Sequence, residues 1–124
     1  YAFQLPLPHA YQDFFELDGL HYLLHDLTDE AYVQTLRQVI LNGHAPEQAV
    51  LLEIDPLHQK TLPDFRMTER LLGCLTVDVA QVRKLGNRLF YERNGQLIEI
   101  RRLYNRVIID EFVYFLLELF SRRL

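Results

Sequence analysis

The sequence predicts an α/β fold: a sheet with a parallel βαβ unit, a β-hairpin and flanking helices. Three observations point there. Two short apolar runs, Ala-Val-Leu-Leu-Glu-Ile at 49–54 and Cys-Leu-Thr-Val-Asp-Val at 74–79, have the length of buried strands. The residues between them carry helical periodicity, and strand, helix, strand in about 30 residues is the size of one right-handed crossover, which implies a parallel pair. Finally, the dipeptide Asn94-Gly95 stands between Arg-Leu-Phe-Tyr-Glu-Arg at 88–93 and Gln-Leu-Ile-Glu-Ile-Arg-Arg-Leu-Tyr at 96–104, the pattern of a hairpin closed by a type I′ turn.

In chain order, the opening stretch to about Leu27 has Pro6 and Pro8 two apart, which predicts extended chain, followed by aromatics without a clean period. It is expected to wrap a core built elsewhere. Thr28 before Asp29 and Glu30 places a cap and two acids at a helix start. Ala31, Tyr32, Leu36, Val39 and Ile40 follow at helical spacing, and Asn42-Gly43 stops that helix. After the strand at 49–54, bounded by Pro46 and Asp55-Pro56, Thr61 is placed to cap a second helix with Pro63 and Asp64 in its first turn. Phe65, Met67, Leu71 and Leu72 form its apolar side and Gly73 ends it. The strand at 74–79 and the hairpin come next. A last helix over about 109–120 is apolar around most of its circumference, with Asp110, Glu111 and Glu118 on one narrow side, and needs a broad apolar neighbour.

A chain of 124 residues, 49% of them hydrophobic, suffices for one globular domain with a core, expected over 1–124 with 1–27 wrapping an α/β core at 28–124. It opens at Tyr1 in the middle of an aromatic and Pro-rich phrase, which reads as a segment of a longer protein. The single cysteine, Cys74, forms no internal disulfide and sits among Leu71, Leu72 and Leu75, so it reads as a core residue of a chain kept in a reducing cytoplasm. No window reaches the roughly 20 apolar residues of a membrane span. A net charge of −4 argues against general nucleic-acid binding. The charge is uneven, with ten acids and two bases in residues 1–64 against seven acids and eleven bases in 65–124. This is either two solvated surfaces or a basic half that faces an anionic ligand or another domain.

Few residues suggest chemistry. His21 and His25, four apart, would share a helix face as zinc ligands do, but Tyr22 stands where a metalloprotease has its glutamate and no third ligand is marked out. Ser121 is the only serine, and the five glycines are scattered singly, which leaves no nucleophile elbow and no phosphate cradle. On one strand Arg101 and Arg102 must face opposite sides, so they cannot serve one ligand, and either can pair with Glu99 or Glu92 across the hairpin. Arg106 falls where a strand gives way to a connection, the place where α/β sheets bind ligands, and a guanidinium there suits a carboxylate or phosphate.

From Val-Leu-Leu-Glu-Ile-Asp-Pro at 50–56 to Phe112, the order of features resembles a known family. Leu72-Gly73 closing a helix, the stretch Val77 to Val82, the hairpin phrase at 87–92 and Tyr104-Asn105-Arg106 ahead of Asp110 resemble the Rossmann-like pre-ATP-grasp domain of circularly permuted ATP-grasp proteins, the group that includes glutathionylspermidine synthase-like ligases. Two positions depart from that pattern: Asp64-Phe65 stands where many relatives have Glu-His, and Tyr104-Asn105-Arg106 where they have Tyr-Arg-Arg. The resemblance implies the substrate side of an ATP-dependent carboxylate–amine or carboxylate–thiol ligase. Arg106, Tyr104, Asn105 and Asp64 would be substrate-binding residues, with no catalytic or metal-binding residue in this segment. ATP and magnesium would be held by the remaining domains of the same chain, and the isolated segment would be inactive and would self-associate through its last helix. The alternative is a non-catalytic interaction or structural module on the same Rossmann-like core; a nucleic-acid accessory domain is the third reading, and the acidic net charge opposes it.

Overall fold

The computed structural model describes residues 2–24, 27–108 and 110. Three strands, β1 (Ala49–Glu53), β2 (Leu75–Asp78) and β6 (Arg102–Asn105), form a parallel sheet in the order β2-β1-β6. Val50 is in register with Leu75 on one side and with Leu103 on the other, so the predicted parallel pair is formed with β1 in the middle. A second, antiparallel sheet comprises β3 (Arg83–Leu85), β4 (Arg88–Arg93) and β5 (Gln96–Ile100) in that order. Asn94 and Gly95 both have positive φ, 52° and 77°, as the type I′ turn between β4 and β5 requires.

Among the residues described before Asp110, the α-helices are α1 (Pro6–Gln12), α2 (Asp29–Ile40) and α3 (Leu62–Leu72). The hydroxyl of Thr28 accepts the Ala31 amide at 3.2 Å, which supplies one of the partners that first-turn amides lack. Strand alternation divides the sheet's two faces. Ala49 packs with Leu41, Leu72 and Cys74 beneath α2 and α3, whereas Val50 and Val77 pack with Tyr91 and Ile100 of the hairpin sheet. Phe65 of α3 has no exposed surface, and its removal would cost about 3–5 kcal/mol, the usual range for a buried aromatic cut to alanine. The Tyr91 hydroxyl donates to the Glu47 carbonyl at 2.8 Å and ties the hairpin to the entry of β1.

Three expectations are corrected and one strand is added. Residues 2–12 are not extended: Ala2–Gln4 is a 3₁₀ turn and Pro6 opens α1, because the first-turn amides of a helix have no internal partner and prolines there cost no hydrogen bond. The segment does lie on the core, with Ala2 and Leu5 buried. Thr61 occupies the cap position of α3, but its ψ of 6° turns the hydroxyl away from the first-turn amides and it makes no capping bond. Strand β3 was not expected; Gly86-Asn87 joins it to β4 in a two-residue turn with positive φ at Gly86 alone, the pattern of type II′. Most consequential, residues 96–104 are not one strand. β5 stays in the hairpin, the Arg101 amide donates to the Gln48 carbonyl at 2.8 Å, and β6 continues in the other sheet. The expected helix at 109–120 lies outside the described residues, apart from Asp110. Among the described residues no helix is long and apolar enough to cross a membrane.

Candidate functional site

Strand order reverses at β1. Its own connection runs through α3 outward to β2, while β6 is added on its other flank, so the carboxyl ends of β1 and β6 bound the crevice where α/β sheets take ligands. Arg106 lies there. Its amide donates to the Leu52 carbonyl at 2.9 Å and extends the β1–β6 ladder by one step, which sets Arg106 beside Glu53. Alternation places Arg106, Arg102 and Tyr104 on the face covered by the helices. The guanidinium carbon stands 5.9 Å from the centre of the Phe65 ring, a cation–π contact. Its Nε is buried and has no hydrogen-bond partner among the described residues.

Acids line the strand ends on this face of the sheet. Asp64, in the first turn of α3, accepts the Phe3 amide at 2.9 Å. Burial pushes its carboxyl up, but the Phe3 amide and nearby positive charge, including that of Arg106, outweigh burial and hold it below the usual aspartate range. Glu53 is only 5% exposed, and its Oε1 accepts the Ile54 amide at 2.9 Å. Asp78 is in register with Glu53 on the far side of β1. Asp78, Glu53 and Arg106 thus form a row across the three strand ends on one face. Past Glu53, Asp55 adopts a left-handed conformation (φ 44°) and its carboxylate meets His58 Nδ1 at 2.7 Å, which raises the imidazole's pKa.

Of the four residues expected to bind substrate, Arg106 and Asp64 are brought together. Tyr104 lies back along β6, in a groove shared with Tyr32 and Leu36 of α2. Asn105 is exposed on the opposite face, where its Oδ1 accepts the Val107 amide at 3.1 Å. Sequence reasoning missed Glu53, whose one signal was an acid closing an otherwise apolar strand.

No protein-family model matches the chain, and no curated protein or solved structure matches it significantly.

Several cations of the hairpin have local partners. Arg101 meets Glu99 at 2.9 Å, Arg88 the same carboxylate at 3.5 Å, and Arg83 meets Glu92 at 3.1 Å. Arg102 reaches further than the hairpin: its Nη2 donates to the Val39 carbonyl at 2.9 Å and its Nε to that of Ile40 at 3.5 Å, closing the end of α2. His21 is exposed, its neighbours to residue 24 are not helical, and His25 lies outside the described residues. Among the described residues no three His, Cys, Asp or Glu side chains are grouped to hold a metal ion. A different cluster, on the exterior, has Asp29 accepting from the Tyr22 hydroxyl and contacting His9 Nε2 at 2.8 Å. It ties α1 and the 18–24 loop to the start of α2, and the Tyr22 bond first, then that of His9, lowers the Asp29 pKa.

Proposed function

We propose that the chain is the acceptor-side domain of an ATP-dependent carboxylate ligase of ATP-grasp type, and that it does no chemistry alone. The observation that carries this reading is Arg106 at the point of strand reversal, with an unpartnered buried Nε and the Asp64 carboxylate close enough to feel its charge. A guanidinium near Asp64, with Glu53 beside it on the neighbouring strand, offers cationic and anionic contacts, which suits an acceptor that carries a carboxylate and an amine. ATP and magnesium belong to the remaining domains of the same protein, and those domains are the partners. The reaction takes place in the cytoplasm, a placement supported by one buried, unpaired thiol.

The test is acceptor-dependent ATP hydrolysis by the whole protein. Arg106→Ala should weaken acceptor binding by about 1.5–3 kcal/mol, the range for a charge-assisted hydrogen bond, and so raise its KM roughly 10- to 150-fold. Arg101→Ala should leave it unchanged. Equal effects of the two substitutions, or loss of folding with Arg106→Lys, would make Arg106 a structural residue. A second reading, a non-catalytic interaction module, is favoured by the exposure of Phe14 and Leu24, each 81% accessible. An intact protein that hydrolyses no ATP with any amine or thiol acceptor would decide for it.

A further inference from the structure

Two surfaces of opposite character stand on opposite sides of the parallel sheet. The first is the turn that leaves α1. Residues 9–20 carry Asp13, Glu16 and Asp18 and no lysine or arginine, the first such base in the chain being Arg37. The Phe14 and Phe15 amides both donate to the Tyr11 carbonyl, at 3.0 and 2.9 Å, and the turn sets the Tyr11 ring edge-on to that of Phe15 with centres 6.2 Å apart. Tyr11 is 53% and Phe15 62% exposed, and Phe14 is more open still. The three acids are exposed, and among the described residues none of them is in an ion pair. Rings held in water beside uncompensated carboxylates form a patch that calls for a basic and apolar neighbour.

The hairpin sheet has the matching signature. Tyr91, Ile98 and Ile100 point into the core, so strand alternation turns Leu85, Phe90 and Leu97 outward. Leu85 is 53% and Leu97 48% exposed. Residues 83–101 hold five bases against two acids, and both acids are engaged on that same face, Glu92 with Arg83 and Glu99 with Arg88 and Arg101. Lys84 and Arg93 stay exposed at the sheet's rim.

We propose that these surfaces dock on each other between copies of the chain, the aromatic turn of one seating on the outer face of the next one's hairpin sheet. The charges select a second copy: three acids without a partner meet a surface with three surplus bases, five less two. The apolar centres agree as well, since Phe90 offers a ring for edge-to-face packing between two aliphatic side chains. Within one chain the surfaces lie apart. Ala2–Gln4, which leads into α1, packs on α3, whereas the hairpin covers the opposite face of the parallel sheet. The contact is therefore heterologous, and each added copy again presents a free turn and a free hairpin, so that assembly runs head to tail. It is also weak. An aromatic side chain buries roughly 150–250 Å², so the exposed parts of these three rings supply about 300–500 Å² per partner, short of the about 800 Å² of a standard interface.

The test is sedimentation velocity of the 124-residue chain from about 10 μM to about 1 mM. The average mass should rise with concentration, and the association constant should fall at least about tenfold between about 50 mM and about 500 mM salt. Phe14→Ser with Phe15→Ser spoils the turn, and Arg83→Gln with Arg88→Gln removes charge from the hairpin face. All four side chains are exposed, and urea midpoints check that both variants fold. Each variant alone should associate at least about tenfold more weakly than the parent. Mixed in equal amounts, the two should recover the parent's affinity as a heterodimer that grows no further, because each pair retains one intact turn and one intact hairpin. A parent chain that stays monomeric, association indifferent to salt or to both substitutions, or variants that fail to pair on mixing would each overturn the proposal. The salt series needs no substitution and decides even if a variant does not fold.

Discussion

Arg102 and Arg101 are adjacent, alike in sequence and unlike in the structure, and their replacement gives a direct test of the sheet assignment. Arg102→Met keeps the aliphatic stem but removes the two bonds to the Val39 and Ile40 carbonyls. A hydrogen bond from a charged donor contributes about 1.5–3 kcal/mol in general. Here the Val39 bond is exposed and the Ile40 bond, at 3.5 Å, is at the limit of a useful contact, so the pair belongs below the lower end of that range. The cation at a helix carboxyl end adds about 0.3–1 kcal/mol. The freed carbonyls can reach water and cost little. The expected loss is therefore about 1–2 kcal/mol. Arg101→Met removes only a surface ion pair with Glu99, in which Arg101 is 47% exposed, and should cost at most about 0.5 kcal/mol. In urea, with a slope of about 1.5–2 kcal/mol per molar, Arg102→Met should lower the midpoint by about 0.5–1.3 M at unchanged slope and Arg101→Met by no more than about 0.3 M. Equal shifts, or a larger one for Arg101→Met, would mean that 96–104 is a single hairpin strand after all.

Two further expectations concern titration. The folded-state pKa of Asp64 is depressed, so its contribution to stability is complete above the unfolded value of about 3.9 and is lost as pH falls through the lower folded value. Asp64→Asn should accordingly be less stable than the parent at neutral pH and lose less on acidification; a constant difference between the two down to about pH 2.5 would contradict the assignment. Burial first, with a smaller contribution from Glu69, pushes the Cys74 thiol up to about 11, and its side chain is only 1% exposed. A disulfide reagent at about pH 8 should react with it only at the rate of unfolding, and complete reaction within a minute in native buffer would refute the buried position.

Elements whose determinants lie close together in sequence were legible. Asn94-Gly95 specifies its own φ angles, Thr28 caps a helix three residues away, and the apolar runs at 49–54 and 74–79 with a helix between them allow little but a crossover. Errors arose where a distant group decides. Whether 96–104 runs straight depends on the Gln48 carbonyl, which captures the Arg101 amide from about fifty residues away. Arg102 looked like a strand-edge cation because its partners, Val39 and Ile40, are more than sixty positions upstream. At the site, Arg106 and Asp64 could be picked out singly, yet the approach of Arg106 to Phe65 and Asp64 comes from the register of β6 on β1, which no local pattern encodes. Glu53 was passed over because a strand's last residue has no period to betray which way it faces. Pro6 and Pro8 misled for another reason: proline fixes φ near −65°, a value that extended chain and a helix's first turn share.

The passage of one continuous ribbon through two sheets makes its length a fixed quantity. Ile100 points into the hairpin-side core and Arg102 toward α2, so the single residue between them sets the phase of everything that follows. Delete it or duplicate it, and β6 would be rotated by half a pleat, with Leu103 thrust under the helices and Arg106 carried to the opposite side from Phe65 and Asp64. The tip at Asn94-Gly95 can take extra residues without shifting any of this. In descent from a common ancestor, insertions should accumulate at that tip while the spacing from Ile100 to Arg106 is held constant.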